Sequence, residues 1–299
     1  ELATTGYCWL DRDEIAPLVE PIPGPTTDRM GGLAQRFGCY ISVGMAEVDP
    51  ETGGFYDSLA FVGPQGLIGT YRKVHLNLPD PRWCVEGDLG FPVWQTDLGG
   101  VAGLICMDAC YFESARIAAL RGADVITLPC NWLDILAPSP LWMSAAFDNG
   151  VYVIAADRWG RERGLQFSGG TSVLNPDGSI QSRMDTGDGI VYGEVDPAKA
   201  RDKRIDPHGS EDKLEARSPR AYRRLTLNTY LWDASQFHGL YGAAPLPPGR
   251  PANVGVVQLG STGHEMDRNL RQMRQALDFS QGELDLVVFP ALAPTGTEL

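Results

Sequence analysis

Short apolar runs alternate along this chain with segments whose apolar residues recur at helical spacing, and clusters of Gly, Pro, Asn and Asp keep the two patterns apart. Residues 24–37 predict a helix opened by Thr26, Thr27 or Asp28, followed by a β-rich run over 39–44. Residues 58–62 and 66–71, separated by a Gly-Pro-Gln-Gly turn, predict a hairpin whose second strand runs into Lys73 and His75. A loop rich in Pro, Asp and Trp follows to about residue 90. A strand is predicted over 101–106, a helix near 113–121, a strand over 123–129, a helix over 139–149 and a strand over 151–155. Further strands at 170–174 and 189–193 flank the turn Asn175-Pro176-Asp177-Gly178. The strands are too apolar for a sheet with one solvated face, so the pattern predicts a layered α/β protein.

From about 201 to 252 the periodicity fades into an Arg-rich and then a Pro/Gly-rich tract, read as an extension and linker. A new β-α-β unit is predicted after it: a strand over 253–259, a helix capped by Ser261 or Thr262 with Met266, Leu270, Met273 and Leu277 at helical spacing, and a strand over 284–290. The six residues from Ala291 repeat those from Glu1 at four positions, at an offset of 290 residues, with Ala291 standing where the first copy has Glu1. The chain therefore divides into a core over 1–200, a linker over 201–252 and the start of a second or permuted domain over 253–299. A strand belongs before Glu1 in such a layout. The expectation is a piece of a longer tandem protein, or a chain whose residues 253–290 complete the sheet in the same molecule or in a neighbour.

Composition narrows the class of protein. Hydrophobic residues make up 43% of the 299 positions and charged residues 21%, enough apolar side chain for a full core. A net charge of −13 argues against nucleic-acid binding, which needs clustered cations. No apolar run is long enough to span a bilayer and no secretion signal is present, so a cytoplasmic location without membrane association is expected. The six cysteines, at 8, 39, 84, 106, 110 and 130, read as reduced thiols. None has the spacing of a zinc site, and neither metal nor cofactor is expected.

The candidate chemistry lies at strand ends. Cys106 closes the run Val101-Ala-Gly-Leu-Ile-Cys106, the place where open α/β sheets keep reactive groups. Read alone, it is either a nucleophile or a small buried hydrophobe. Lys73 ends the hairpin and Glu1 lies in a loop of the kind that follows a strand. Two motifs carry these residues: Tyr71-Arg72-Lys73-Val74-His75-Leu76, and Ile105-Cys106-Met107-Asp108 with Glu113 seven residues after the cysteine. In their order, with Lys73 and Cys106 33 residues apart, they resemble the nitrilase superfamily of carbon–nitrogen hydrolases. The likeness extends through Arg116, Asp124, Asn131, Trp132, Asn149 and Thr171 to about residue 200.

That resemblance implies an α/β fold, a four-layer α-β-β-α sandwich, and hydrolysis of an amide, N-carbamoyl or nitrile small molecule through a cysteine thioester. It implies that Glu1 is the base, Lys73 the oxyanion partner and Cys106 the nucleophile, acting without a cofactor in a homo-oligomer. A thiol attacks as thiolate, so a base and a cation are expected to lower its pKa. The α-ammonium group of Glu1 would in turn depress its own carboxyl. Asp80 falls near the place of a second family carboxylate, and Met107, Cys130, Asn131 and Trp132 are expected to support or line the pocket. Asp108 and Glu113 are read as structural carboxylates partnered by Arg116, and Cys110, His75 and Trp142 as packing or structural residues. Two other readings stay open: a catalytically inactive binding or assembly module, and an acyltransferase that passes the thioester to an amine.

Overall fold

The computed structural model describes residues 1–133, 136–204, 211–226, 249–260, 265–279, 284–291 and 293. They fall into two compact units, Glu1–Arg217 and Ser218–Leu299. The helices of the first unit are α1 (Arg12–Ile15), α2 (Pro25–Phe37), α3 (Phe112–Leu120), α4 (Pro140–Asn149) and α5 (Pro197–Arg201). Its strands are β1 (Ile41–Val48), β2 (Phe55–Gly63), β3 (Gly66–Arg72), β4 (Val93–Thr96), β5 (Gly99–Gly103) and β6 (Val125–Cys130), then β7 (Tyr152–Asp157), β8 (Trp159–Glu162), β9 (Leu165–Ser168), β10 (Thr171–Leu174) and β11 (Ile180–Met184).

β1, β2 and β3 form an antiparallel sheet in that order. A second sheet runs β11-β10-β7-β6-β5-β4, parallel at its centre (β5, β6, β7) and antiparallel at both edges. The central strands are nearly continuous apolar runs because both of their faces are covered. One face meets the three-stranded sheet: Leu59, Phe61 and Tyr71 pack with Val101, Ile105 and Leu128, and the Ser42 and Thr127 hydroxyls meet across the gap at 2.9 Å. Burying each such large apolar side chain contributes about 1.5–3 kcal/mol. α4 packs on β7, β10 and α3 on the outer side of the second sheet, and α2 packs on β2 and β3. The result is the α-β-β-α sandwich that the resemblance implies.

Several elements differ from their sequence reading. α2 begins earlier than Thr26–Asp28 suggest: Gly24 is its N-cap, Pro25 its first residue, and the Thr27 hydroxyl accepts from the Gly24 N–H at 2.8 Å. The strand read over 101–106 ends at Gly103, and Cys106 instead opens the short 3₁₀ turn Cys106–Cys110. Residues 189–193 are not a strand. They run beside β11 through side-chain bonds, Ser182 Oγ donating to the Tyr192 carbonyl at 2.6 Å, and Ile190 and Tyr192 face solvent. The strand that pairs with β10 is β11, which the polar sequence Ile180-Gln-Ser-Arg-Met184 does not announce.

In the second unit, β12 (Val254–Val256) and β13 (Leu286–Val288) pair in parallel, with α6 (Met266–Phe279) between them in sequence. This is the predicted β-α-β, in a two-stranded sheet of its own. The proposed caps Ser261 and Thr262, most of the linker, and residues 292 and 294–296 of the repeated hexapeptide lie outside the described residues. Among the described residues no helix is long and apolar enough to cross a membrane.

Candidate active site

Lys73 follows directly on β3, and the alternation of side chains along an extended chain sends it away from its neighbour. Arg72 is held outward by Glu47 (2.6 Å), Asp49 (3.0 Å) and Asp88 (2.9 Å), and stacks 3.9 Å above the Tyr56 ring. Lys73 therefore points inward, and its side chain has no accessible surface. Gly87 lets the next loop close over this point: its N–H donates to the Lys73 carbonyl at 2.8 Å, and a Cβ there would lie 2.1 Å from the Arg72 carbonyl oxygen.

Glu1 reaches the same place from the other side. Its backbone lies against Gly44 of β1, where a Cβ would sit 2.6 Å from the Glu1 Cα, and Ala3 N–H donates to the Gly44 carbonyl at 2.8 Å. Asn131, just beyond β6, fixes it twice: the backbone N–H donates to Glu1 Oε2 at 2.9 Å and Nδ2 donates to the Glu1 carbonyl at 2.9 Å. Lys73 Nζ donates to Glu1 Oε1 and, at 2.6 Å, to Asp80 Oδ2. Asp80 opens a 3₁₀ turn, and its Oδ2 also accepts from the Asn77 N–H at 2.8 Å.

A third carboxylate, Asp57 on β2, lies 3.3 Å from Lys73 Nζ. It lies outside both sequence motifs. A signal was present, because a carboxylate inside the apolar strand Phe55-Tyr-Asp-Ser-Leu-Ala-Phe-Val62 is costly to bury without a purpose. Glu1, Asp57 and Asp80 bring oxygens within 4.8 Å of one another, the geometry of a cation site, but the Lys73 ammonium contacts all three and occupies that role.

Cys106 stands at the end of β5, three residues past the last paired position, with φ +41°, a left-handed conformation that a non-glycine residue adopts at a cost. Asp108 holds this turn to the lysine loop. Its Oδ2 accepts from Tyr71 Oη (2.7 Å) and the Ile105 N–H (2.9 Å), and its Oδ1 accepts from the His75 N–H (3.0 Å) and lies 2.9 Å from His75 Nδ1. One buried carboxylate thus ties the two sequence motifs together. These partners replace the Arg116 pairing suggested by sequence; Arg116 donates to the Asp148 carbonyl at 2.9 Å.

Cys106 opens on a cavity of about 520 Å³ lined by Met107, Asn131 and Trp132 among the expected residues, with Trp9, Leu78 and Leu165 adding apolar wall. Arg82 and Arg163 also line it. Asp80 and Cys130 do not face this cavity: Asp80 is buried behind it with Lys73, and Cys130 is buried beside Cys106.

Electrostatics sharpen the picture. Burial pushes the Glu1 carboxyl up, but the Lys73 ammonium, the α-ammonium of Glu1 itself and hydrogen bonds from Asp57 and Lys73 together outweigh it and hold the group down at about 2. Burial works against a charged Lys73, yet the carboxylates packed around it, Glu1 foremost, hold its pKa well above the usual lysine range. Cys106 departs from the sequence expectation. Contact with the Cys130 thiol, burial and the Glu1 charge push its pKa well up, so the resting sulfur is a thiol. Lys73 favours the thiolate but does not outweigh them.

A family model described as carbon–nitrogen hydrolase matches residues 1–205. A nitrilase of Pyrococcus abyssi is 39% identical over 207 residues, spanning 69% of this chain and 78% of the relative. An N-carbamoylputrescine amidase of Solanum lycopersicum is 29% identical over 224 residues, spanning 66% of this chain and 73% of the relative. A crystal structure of a carbon–nitrogen hydrolase from Helicobacter pylori shares the fold, with a TM-score of 0.64 at 24% identity over 74% of this chain and 82% of that one.

Proposed function

Since the chain belongs to the carbon–nitrogen hydrolase family of the nitrilase superfamily, we propose that it hydrolyses a small-molecule amide or N-carbamoyl compound through a thioester on Cys106. The observation that carries this reading is the buried Lys73 ammonium, clasped by Glu1 and Asp80 behind a thiol that opens on an apolar cavity.

The substrate carbonyl lies against Cys106 with its oxygen toward the Lys73 ammonium and the Met107 N–H. Because the resting sulfur is protonated and Glu1 is a weak base, thiol deprotonation is not completed in advance. The proton passes to Glu1 as the carbon–sulfur bond forms, which is general base catalysis. Negative charge develops on the carbonyl oxygen, and each preorganised donor aimed at it is worth roughly 3–4 kcal/mol. The tetrahedral adduct collapses when Glu1 returns the proton to the nitrogen, which leaves as ammonia or an amine. Water then attacks the thioester, giving its proton to Glu1. Collapse releases the carboxylic acid, and the Glu1 proton returns to sulfur.

The amide side is favoured over nitrile because amide hydrolysis uses this one acid–base residue symmetrically in both half-reactions. Ammonia or amine release from a panel of amides, N-carbamoyl compounds and nitriles tests the reading. Turnover by the wild type with loss in Cys106→Ala is the expected result, and equal release by both proteins would overturn it.

A further inference from the structure

One cation and three carboxylates share a space without solvent. The side chains of Lys73, Glu1, Asp57 and Asp80 all have no accessible surface. If all three acids were ionised the cluster would hold two uncompensated negative charges with carboxylate oxygens within 4.8 Å of one another, an arrangement that drives a proton onto one of them.

The hydrogen bonds identify which one. Glu1 accepts from Lys73 and from the Asn131 N–H, and Asp80 accepts from Lys73 and from the Asn77 N–H. Asp57 accepts from nothing: neither of its oxygens has a hydrogen-bond partner, and Lys73 Nζ, though 3.3 Å away, is misaligned. An ionised carboxylate stripped of water and given no donor is the most expensive of the three to maintain. A neutral carboxyl at the same position needs only an acceptor, and Glu1 supplies one.

Building on the hydrolase reading above, we propose that Asp57 is a positioning residue that holds a proton as a neutral carboxylic acid and shares it with Glu1. Its neutrality keeps the cluster at one net negative charge, and its hydrogen bond orients the carboxylate that must take the proton of Cys106. The electrostatic balance runs the same way: burial raises Asp57 far above the carboxylate range, and Glu1 and Asp80 add to this against the pull of Lys73. The ionisable groups that face Asp57 are Glu1, Lys73, Asp80 and the Cys84 thiol, itself raised by burial. Loss of the Asp57 proton at alkaline pH would set a second net negative charge behind the sulfur and oppose charge build-up on the substrate oxygen.

Two measurements on the full chain test this. Infrared spectra of the wild type at neutral pH, minus those of Asp57→Asn, should contain the carbonyl stretch of a protonated carboxylic acid, shifted in D₂O and lost in the wild type on alkaline titration. This arm reads the proton whether or not the protein turns over an amide, and absence of the band from the wild type overturns the proposal. In kinetics, Asp57→Leu should lower neutral kcat/KM by on the order of tenfold or more, and Asp57→Asn, which keeps a donor and has no proton to lose, should recover most of that loss and lack the alkaline decline. An Asn variant as impaired as the Leu variant, or one with the wild-type alkaline limb, would also overturn it.

Discussion

Asn131 grips Glu1 with two hydrogen bonds of 2.9 Å, one from its backbone to the carboxylate and one from its side chain to the Glu1 carbonyl. The second is specific to the amide side chain and sets where the Glu1 backbone comes to rest against Gly44. Misplacing a proton acceptor by an ångström can cost about 10²-fold in rate. Asn131→Ala should therefore lower kcat/KM by roughly 10- to 100-fold. Asn131→Asp should lower it further, because it adds a fourth carboxylate beside Glu1 and removes the donor. Steady-state kinetics of the two variants check the order, and an Asp variant more active than the Ala variant would contradict it.

Lys73→Met leaves Glu1, Asp57 and Asp80 buried without their cation. Removing one partner of a buried ionic cluster costs about 3–5 kcal/mol, and this variant should be destabilised by that amount at neutral pH. Glu1 is held at about 2 against an ordinary 4.5, so its contribution is fully present above pH 4.5 and is lost as pH falls toward 2. The gap between wild type and variant should therefore shrink when urea midpoints are taken at pH 4 instead of pH 7. A gap independent of pH would show that the ammonium does not hold an ionised carboxylate.

Asp157 carries a strain of the opposite sign. Burial pushes its carboxyl up to about 7, although the Trp132 and Arg158 N–H groups each donate to Oδ1 at 2.9 Å, and Oδ2 has no partner. Between 3.8 and 7 the folded protein binds more protons here than the unfolded chain, so stability falls as pH rises through that window and stays lost above it. Asp157→Asn keeps the accepting oxygen and cannot ionise. It should raise stability by about 1–2 kcal/mol at pH 8 and by nothing at pH 4, as read by thermal unfolding.

The sheet layers and the two motif-bearing loops were legible in the sequence because apolar runs, turn residues and the strand-end positions of Lys73 and Cys106 are local signals. β11 and the segment over 189–193 were not, since which of two polar segments pairs with β10 depends on tertiary contacts that no local period encodes. The four-residue strand β4 and the β8–β9 hairpin carry no local signal for the same reason. Within the site, Asp80 was found from its place in the chain, whereas Asp57 stood in plain view as an acid in an apolar strand. Its role emerges only when β2 is seen to pass beside Lys73. The raised pKa of Cys106 was also invisible, because it depends on Cys130 arriving from another strand.

That Cys106 is the nucleophile is tested most directly by quenching the wild-type protein during turnover of an amide and mapping its peptides by mass spectrometry. The mass of the acyl group should appear on the peptide containing Cys106 and be removed by hydroxylamine, together with a fall in ammonia release of at least about 10³-fold in Cys106→Ala. An acyl group found on Cys110 or Cys130, or undiminished turnover in Cys106→Ala, would contradict it.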